Sequence, residues 1–347
     1  MAVLGSGVDT LVDVLKQLAP DGSQLDTAEV LTEHTEILQD MTWMEGNLVT
    51  GHRDSVRTML PEPSFRAINE GVPVTKGATT PIEETTALLE DFSQCDRELA
   101  ILSGNVERYR LKQAKPHMIG FAHKMARQVF YGNVASDPKS FNGLAPRYNS
   151  GDPSVSSTAA NVLDAGGSGS ALRSIWLVGW SEDTITGLFP KGTKGGLGHE
   201  DATSAADGTS PDGFAKGQAL QDANGNLYMG YRDHWLWRCG MMVKDWRYAV
   251  RIANIDPTEL TIDGATGPNL QNLMIQATEL IEGTEGVRCA FYMPRLLRSY
   301  LRQQLVEKKN AFLSLSEQGG NSTLSFDEIP IRRTDALNVN EAEVTGF

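Results

Sequence analysis

The apolar positions of this chain change period several times, and each change marks an element. Between Asn105 and Tyr131, the side chains Met118, Ala122, Met125, Ala126 and Val129 fall on one stripe at helical spacing. That spacing predicts the longest helix of the chain, with Gly132-Asn133 as its stop. Pro116 stands inside this stretch. It has no N–H and clashes one turn back, so it is expected to kink the helix or restart it. A second stripe, Leu270, Leu273, Met274, Ala277, Leu280 and Ile281, starts after Pro268 and ends before Gly283. A third, Leu297, Leu301 and Leu305, follows Pro294.

Other stretches alternate with a period of two or run apolar without a break. Ile175-Trp176-Leu177-Val178 is a continuous apolar run, as in a strand buried on both faces. Trp235, Trp237, Cys239, Met241 and Val243 alternate at odd positions; Trp246, Tyr248, Val250 and Ile252 alternate at even ones. A slip of one residue would turn the apolar face outward, so a bulge or turn must separate the two runs. Trp176, Trp180, Trp235, Trp237 and Trp246 all lie in or between these runs, which predicts one sheet core. Val287, Cys289, Phe291 and Met293 alternate as a strand, and Thr323–Phe326 and Ile329–Arg333 read as closing strands. Strands and helices mix without regular βαβ alternation, so the fold class is α+β.

Three stretches lack a core of their own. Residues 1–50 read as an arm, with short helices expected over Val8–Leu18 and Thr27–Leu38 that need something to dock on, either another molecule or their own domain. Residues 51–99 read as an extended β-hairpin loop, strand-like at Ser55–Leu60, Ser64–Ile68 and Thr85–Leu89, and rich in Gly, Thr and Pro between. Within residues 100–347, the part near 192–225 is polar enough to be an inserted excursion.

Composition narrows the function. Over 347 residues, 31 Lys and Arg oppose 44 Asp and Glu, for a net charge of −13. That charge repels polyanions and disfavours a dedicated nucleic-acid binder. Cys95, Cys239 and Cys289 are far apart and form neither a CxxC pair nor a Cys/His cluster, so neither a disulfide framework nor a zinc site is expected. The first residues lack a secretory signal pattern, and no apolar run is long enough to span a bilayer, so no membrane partner is expected.

The common catalytic motifs are missing. There is no P-loop, and Gly166-Gly167-Ser168-Gly169-Ser170 misses both GxGxxG and GxSxG. His199-Glu200 lacks the second His of a zinc-protease helix, and His117 and His123 do not share a helix face. Asp222, Asn224 and Asn226 begin like a calcium loop, but Leu227 fills the position that needs Gly, which favours a plain turn. No catalytic residue, metal or cofactor is expected, and a hydrolase with a mixed sheet is disfavoured. One constellation stands out. Arg295, Arg298 and Arg302 lie at i, i+3 and i+7, a basic stripe beside the helix leucines. It reads as a solvated face, as an ion-paired contact with a neighbouring subunit, or as a phosphate contact. Arg57 and Arg66, on the extended stretch, join it as candidate inter-subunit contacts.

Several stretches, in order, resemble a group of phage major capsid proteins. They are Phe130-Tyr131-Gly132-Asn133, Phe141 to Asn149 (FNGLAPRYN), Ser174 to Val178 (SIWLV), Gly187 to Gly192 (GLFPKG), Asp245 to Tyr248 (DWRY), Val250 to Ile255 (VRIANI), and Ile329 to Asp335 (IPIRRTD). The resemblance spans residues 130–335. It implies a Hong-Kong-97-like coat fold with an N-terminal arm, an extended loop, a peripheral domain with a spine helix, and an axial domain. It also implies a virion shell protein, made in the host cytoplasm, that self-assembles into hexamers and pentamers of an icosahedral head enclosing double-stranded DNA. The implied partners are further copies of itself, a portal protein at one vertex, a possible decoration protein, and packaged DNA touched only non-specifically. No long helical segment precedes the arm, so a separate scaffolding protein is expected and a large N-terminal cleavage is not. Lys76, near the tip of the extended loop, is read as a solubilising charge rather than a covalent cross-link. The alternative within the same fold is an encapsulin-like nanocompartment shell that packages protein cargo.

Overall fold

The computed structural model describes residues 35–203, 217–222, 224–260, 267–307, 313–318, 321–337 and 340–347. The helix expected over Val8–Leu18 and most of that over Thr27–Leu38 lie outside these residues. In chain order the elements begin with α1 (Ile37–Asp40), β1 (Trp43–Glu45), β2 (Gly51–Met59), β3 (Ala78–Thr85) and β4 (Ala87–Asp96). Next come α2 (Arg97–Leu102), α3 (Val106–Tyr131), β5 (Val162–Asp164), β6 (Arg173–Trp180) and β7 (Ile185–Phe189). Then follow β8 (Leu197–Asp201), β9 (Gln218–Gln221), β10 (Leu227–Val243), β11 (Ala249–Ile255) and α4 (Leu270–Leu280). The last are β12 (Arg288–Met293), α5 (Arg295–Glu307), β13 (Leu313–Gln318), β14 (Asn321–Phe326) and β15 (Ile329–Arg333).

The chain divides into two compact units. The larger holds residues 33–87, 125–195 and 239–347. Its sheet runs β5-β11-β6-β12-β15-β14-β13, with β6 at the centre because Leu177 pairs with both Val250 of β11 and Phe291 of β12. One face is covered by α4 and α5: Ile175, Leu177, Ile252 and Phe291 pack with Met274, Ala277, Leu297 and Leu301. The opposite face meets the end of α3, where the Phe130 ring lies 6.3 Å from Trp176 and 6.1 Å from Tyr292. Both faces of β6 are therefore covered, which is why its sequence is apolar without alternation.

The smaller unit includes residues 88–124 and 196–238. Here β10 pairs with β8, β9 and β4. Leu89 of β4 and Trp235 of β10 pack with Ala114 and Phe121 of α3. The side chain of Asn105 accepts from the Arg108 N–H and caps α3 at its start.

Several expectations are corrected by the structure. Pro116 does not restart α3, which runs through it. The buried face of the helix's first part is Ala114 and Phe121, whereas Met118 is exposed; the side on which β4 and β10 lie decides this, not the methionine spacing. The tryptophans do not share one core: Trp176 and Trp180 belong to the larger unit, Trp235 and Trp237 to the smaller. The excursion near 192–225 is not free loop, since β8 and β9 pair along β10. Ser64–Ile68 forms no strand, because Pro61 and Pro63 remove the ladder donors ahead of it. The two-stranded hairpin closes at Thr85 rather than near 99, as Leu89 and Cys95 belong to the smaller unit's cores. Of the two readings of the arm, residues 37–45 follow the one in which it docks on its own chain: Ile37 and Met41 are buried, and β1 pairs parallel with β7.

The segment after α3 shows why the Gly132 and Gly143 region reads as it does. The N–H groups of Gly143, Leu144 and Ala145 donate to the carbonyls of Gly132, Val129 and Phe130, satisfying the end of the helix. The backbones approach so closely that a Cβ on Gly143 would lie 2.6 Å from the Gln128 carbonyl oxygen. The break that the change of parity requires extends into the even run, whose first residues, Trp246–Tyr248, form a short 3-10 turn ahead of β11.

Candidate functional site

The most unusual surface is the hairpin of β2 and β3. The strands pair from Gly51 with Thr85 out to Met59 with Ala78. Beyond them residues 60–77 form an irregular tip that is exposed throughout. Phe65 is 108% exposed, Val74 101%, Ile68 93% and Leu60 71%. Apolar side chains so fully in water, clustered on one projection, mark an interaction surface. The tip is nevertheless shaped: Glu70 accepts from the Ala67 N–H through its carboxylate and from Arg66 Nη1 through its carbonyl.

The base of the hairpin is clamped on both strands. Asp54 on β2 pairs with Lys244 at 3.0 Å. Glu84 on β3 pairs with Arg147 at 2.7 Å, and Arg147 also donates to the Gly143 carbonyl in the loop that caps α3. The hydrogen bond from Lys244 holds the Asp54 carboxyl below its usual range. Burial, and then Lys244, push the His52 imidazole below its ordinary value.

The second surface is the arginine face of α5. Arg295, 63% exposed at its side chain, pairs with Asp335 at 3.1 Å. Arg298 is half-buried, and burial followed by its arginine neighbours lowers its pKa, against the opposing charge of Glu36. Arg302 is exposed. The structure adds Arg332 and Arg333 of β15, which pair with Asp40 and Asp335 respectively. These two were missed because the parallel pairing of β15 with β12, which brings them beside α5, has no local signal in the sequence. Arg57 and Arg66 lie exposed on the hairpin, and among the described residues no ion pair joins them to the α5 group.

Elsewhere the polar chemistry is structural. In the smaller unit Arg110 bridges Asp233 at 2.6 Å and Asp201 at 2.9 Å, and His199 lies 3.0 Å from the same Asp233. His117 contacts Asp91 and His234 contacts Glu90, each at 2.6 Å. Among the described residues no group of three or more His, Cys, Asp or Glu side chains could hold a metal ion. Asp222 accepts from the N–H groups of Asn224 and Asn226, a turn closed on itself. All three cysteines are buried, and burial pushes the Cys239 thiol up to about 12. No described helix is long and apolar enough to cross a membrane.

A chain in the near-atomic-resolution structure of bacteriophage Epsilon15 is similar over 99% of both chains, with 29% identity and a TM-score of 0.74. The capsid of bacteriophage JBD30 aligns with 89% of this chain and 93% of its own at 12% identity and a TM-score of 0.49. An encapsulin complex from Synechococcus elongatus aligns with 74% of this chain and 97% of its own at 8% identity and a TM-score of 0.43. No curated protein sequence matches. The fold is the Hong-Kong-97-like phage capsid fold. The family model described as "Major capsid protein GP7" matches residues 19–345, and the chain belongs to that family of tailed-phage major capsid proteins.

Proposed function

We propose that this chain builds the phage head by forming rings of six and five that close into an icosahedral shell around double-stranded DNA, and that it performs no catalysis. The observation carrying this reading is the exposed hairpin tip. Phe65, Ile68 and Val74 are exposed to solvent almost in full, and burying each is worth roughly 1.5–3 kcal/mol. In this reading the hairpin is the extended loop of the coat fold, lying across an adjacent copy. The smaller unit, with α3, serves as the peripheral domain, and the sheet with α4 and α5 as the axial one. Residues 1–50 act as the arm. A ring repeats every contact, so modest individual contacts hold a shell together. Arg57 and Arg66 contribute charged contacts along the hairpin, and Arg295, Arg298 and Arg302 along α5. A separate scaffolding protein guides assembly in the host cytoplasm, a portal occupies one vertex, and a decoration protein is an optional later addition. Packaged DNA meets the shell only non-specifically.

The test is electron microscopy of the purified protein with analysis of the particle contents. Closed shells that hold DNA in infected cells support the reading. Shells holding one dominant enzyme instead of DNA would move the chain to the nanocompartment class, and a small monodisperse oligomer with no tendency to form rings would refute assembly altogether.

A further inference from the structure

The arginine face is not internally balanced. Asp335 is shared by Arg295 and Arg333, and Asp40 is occupied by Arg332. Arg298 has only the longer-range charge of Glu36 to set against Arg302, Arg332 and Arg333. Its Nε is buried and has no acceptor, and the same is true of Nε on Arg333. Arg302 has no ion pair among the described residues. A guanidinium desolvated along one edge and surrounded by like charges is costly unless an anion meets the face that remains open. Among the described residues no carboxylate pairs with Arg298 or Arg302, although the chain as a whole has an excess of carboxylates, 44 against 31 basic groups.

We propose that Arg298, with Arg302 and Arg333 beside it, forms an oxyanion-binding site that takes a carboxylate from a neighbouring copy of this chain. This deepens the coat reading and rests on it. The planar guanidinium fork accepts a carboxylate with two parallel hydrogen bonds. The occupant is a second copy because a chain of net charge −13 offers an acidic surface to each neighbour, while the same charge repels a polyanion. Arg295 is not part of the site, because it is exposed and already paired with Asp335; Arg333, which shares Asp335, adds positive charge beside Arg298 rather than a free fork. The Nε of Arg298 is turned into the protein, so a neighbour's carboxylate would meet the Nη1–Nη2 edge of this half-buried side chain. The site is completed only when a neighbour supplies the acceptor, which couples the charge of α5 to ring formation.

Two measurements on the assembled protein decide the matter. A cryo-electron microscopy map of wild-type shells should show a carboxylate of an adjacent copy within about 3 Å of the Arg298 guanidinium. An own-chain carboxylate, a nucleic-acid phosphate or solvent alone at that position would overturn the proposal. In parallel, Arg298→Met should leave the urea midpoint of the dissociated subunit at or above that of wild type, since it removes an unpaired cation, while weakening ring association about tenfold and flattening its salt dependence, with Arg298→Lys intermediate. Shells of Arg298→Met that match wild type in stability and salt response would likewise overturn it. Failure of the wild-type chain itself to form rings would instead strike the coat reading on which the site depends.

Discussion

Arg251, 5% exposed, is enclosed by β6, β11 and the last residues of the chain. Its Nη2 donates to Glu341 at 2.6 Å, its Nε to Ser174 and its Nη1 to the Tyr148 carbonyl, while the guanidinium lies 5.3 Å from the centre of the Trp176 ring. Tyr131 donates its hydroxyl to the other carboxylate oxygen of Glu341. Burial, and then the Glu341 charge, push that phenol above its ordinary range. This network ties the end of the chain to the sheet, and its stability follows from its completeness. Glu341→Ala should cost about 3–5 kcal/mol in urea unfolding, because it strands a buried cation. The double replacement Arg251→Met with Glu341→Leu should cost much less. Equal costs for the two would show that the tail, and not the charge pair, matters. Neither residue stands out in the sequence as half of a pair, since ninety positions separate them.

The elements show where local rules hold and where packing overrides them. α3 accommodates Pro116 on an exposed face, so the missing N–H costs a hydrogen bond without breaking the helix. Gly120, one turn later, is exposed, and a Cβ there would meet nothing. Gly120→Ala should therefore raise stability by about 0.5–1 kcal/mol, visible as a higher melting temperature. Gly143→Ala should do the opposite, costing about 1–3 kcal/mol or more, because the new Cβ would press into backbone at the end of α3. The hairpin base adds a pH dependence. The Asp54 carboxyl is depressed by its bond from Lys244, so this ion pair stabilises the fold fully above the ordinary carboxylate range and is lost as pH falls through the lower folded value. Urea midpoints of wild type and Asp54→Asn should differ at pH 7 and converge as pH falls below the ordinary carboxylate range. A gap that persists in acid would mean that Asp54 acts by packing alone.

For the whole molecule, the hairpin tip separates folding from assembly. Residues 60–77 are exposed throughout, so exchanging Phe65, Ile68 and Val74 together for Ser should leave the subunit's unfolding midpoint within about 0.5 kcal/mol of wild type. Sedimentation should meanwhile show rings and shells lost. Shells of normal yield from this triple variant would remove the tip from the assembly mechanism.

The division between what was legible and what was not follows the range of the physics. Side-chain periodicity identified α3, α4, α5 and the strands β6, β10, β11, β12, β14 and β15, because helix and strand periods act between residues a few positions apart. The parity change after Lys244 likewise foretold the turn at Trp246–Tyr248. The ordered stretches from Phe130 to Asp335 pointed to the coat fold. Long-range pairing had no such signal. The division of the tryptophans between two units, the strands β8 and β9 within the polar excursion, and Arg332 and Arg333 beside the α5 stripe all depend on which strand lies next to which. The docking of Ile37, Met41 and β1 on the chain's own sheet does so too. Periodicity tells a residue which way to face; only the assembled sheet supplies what it faces.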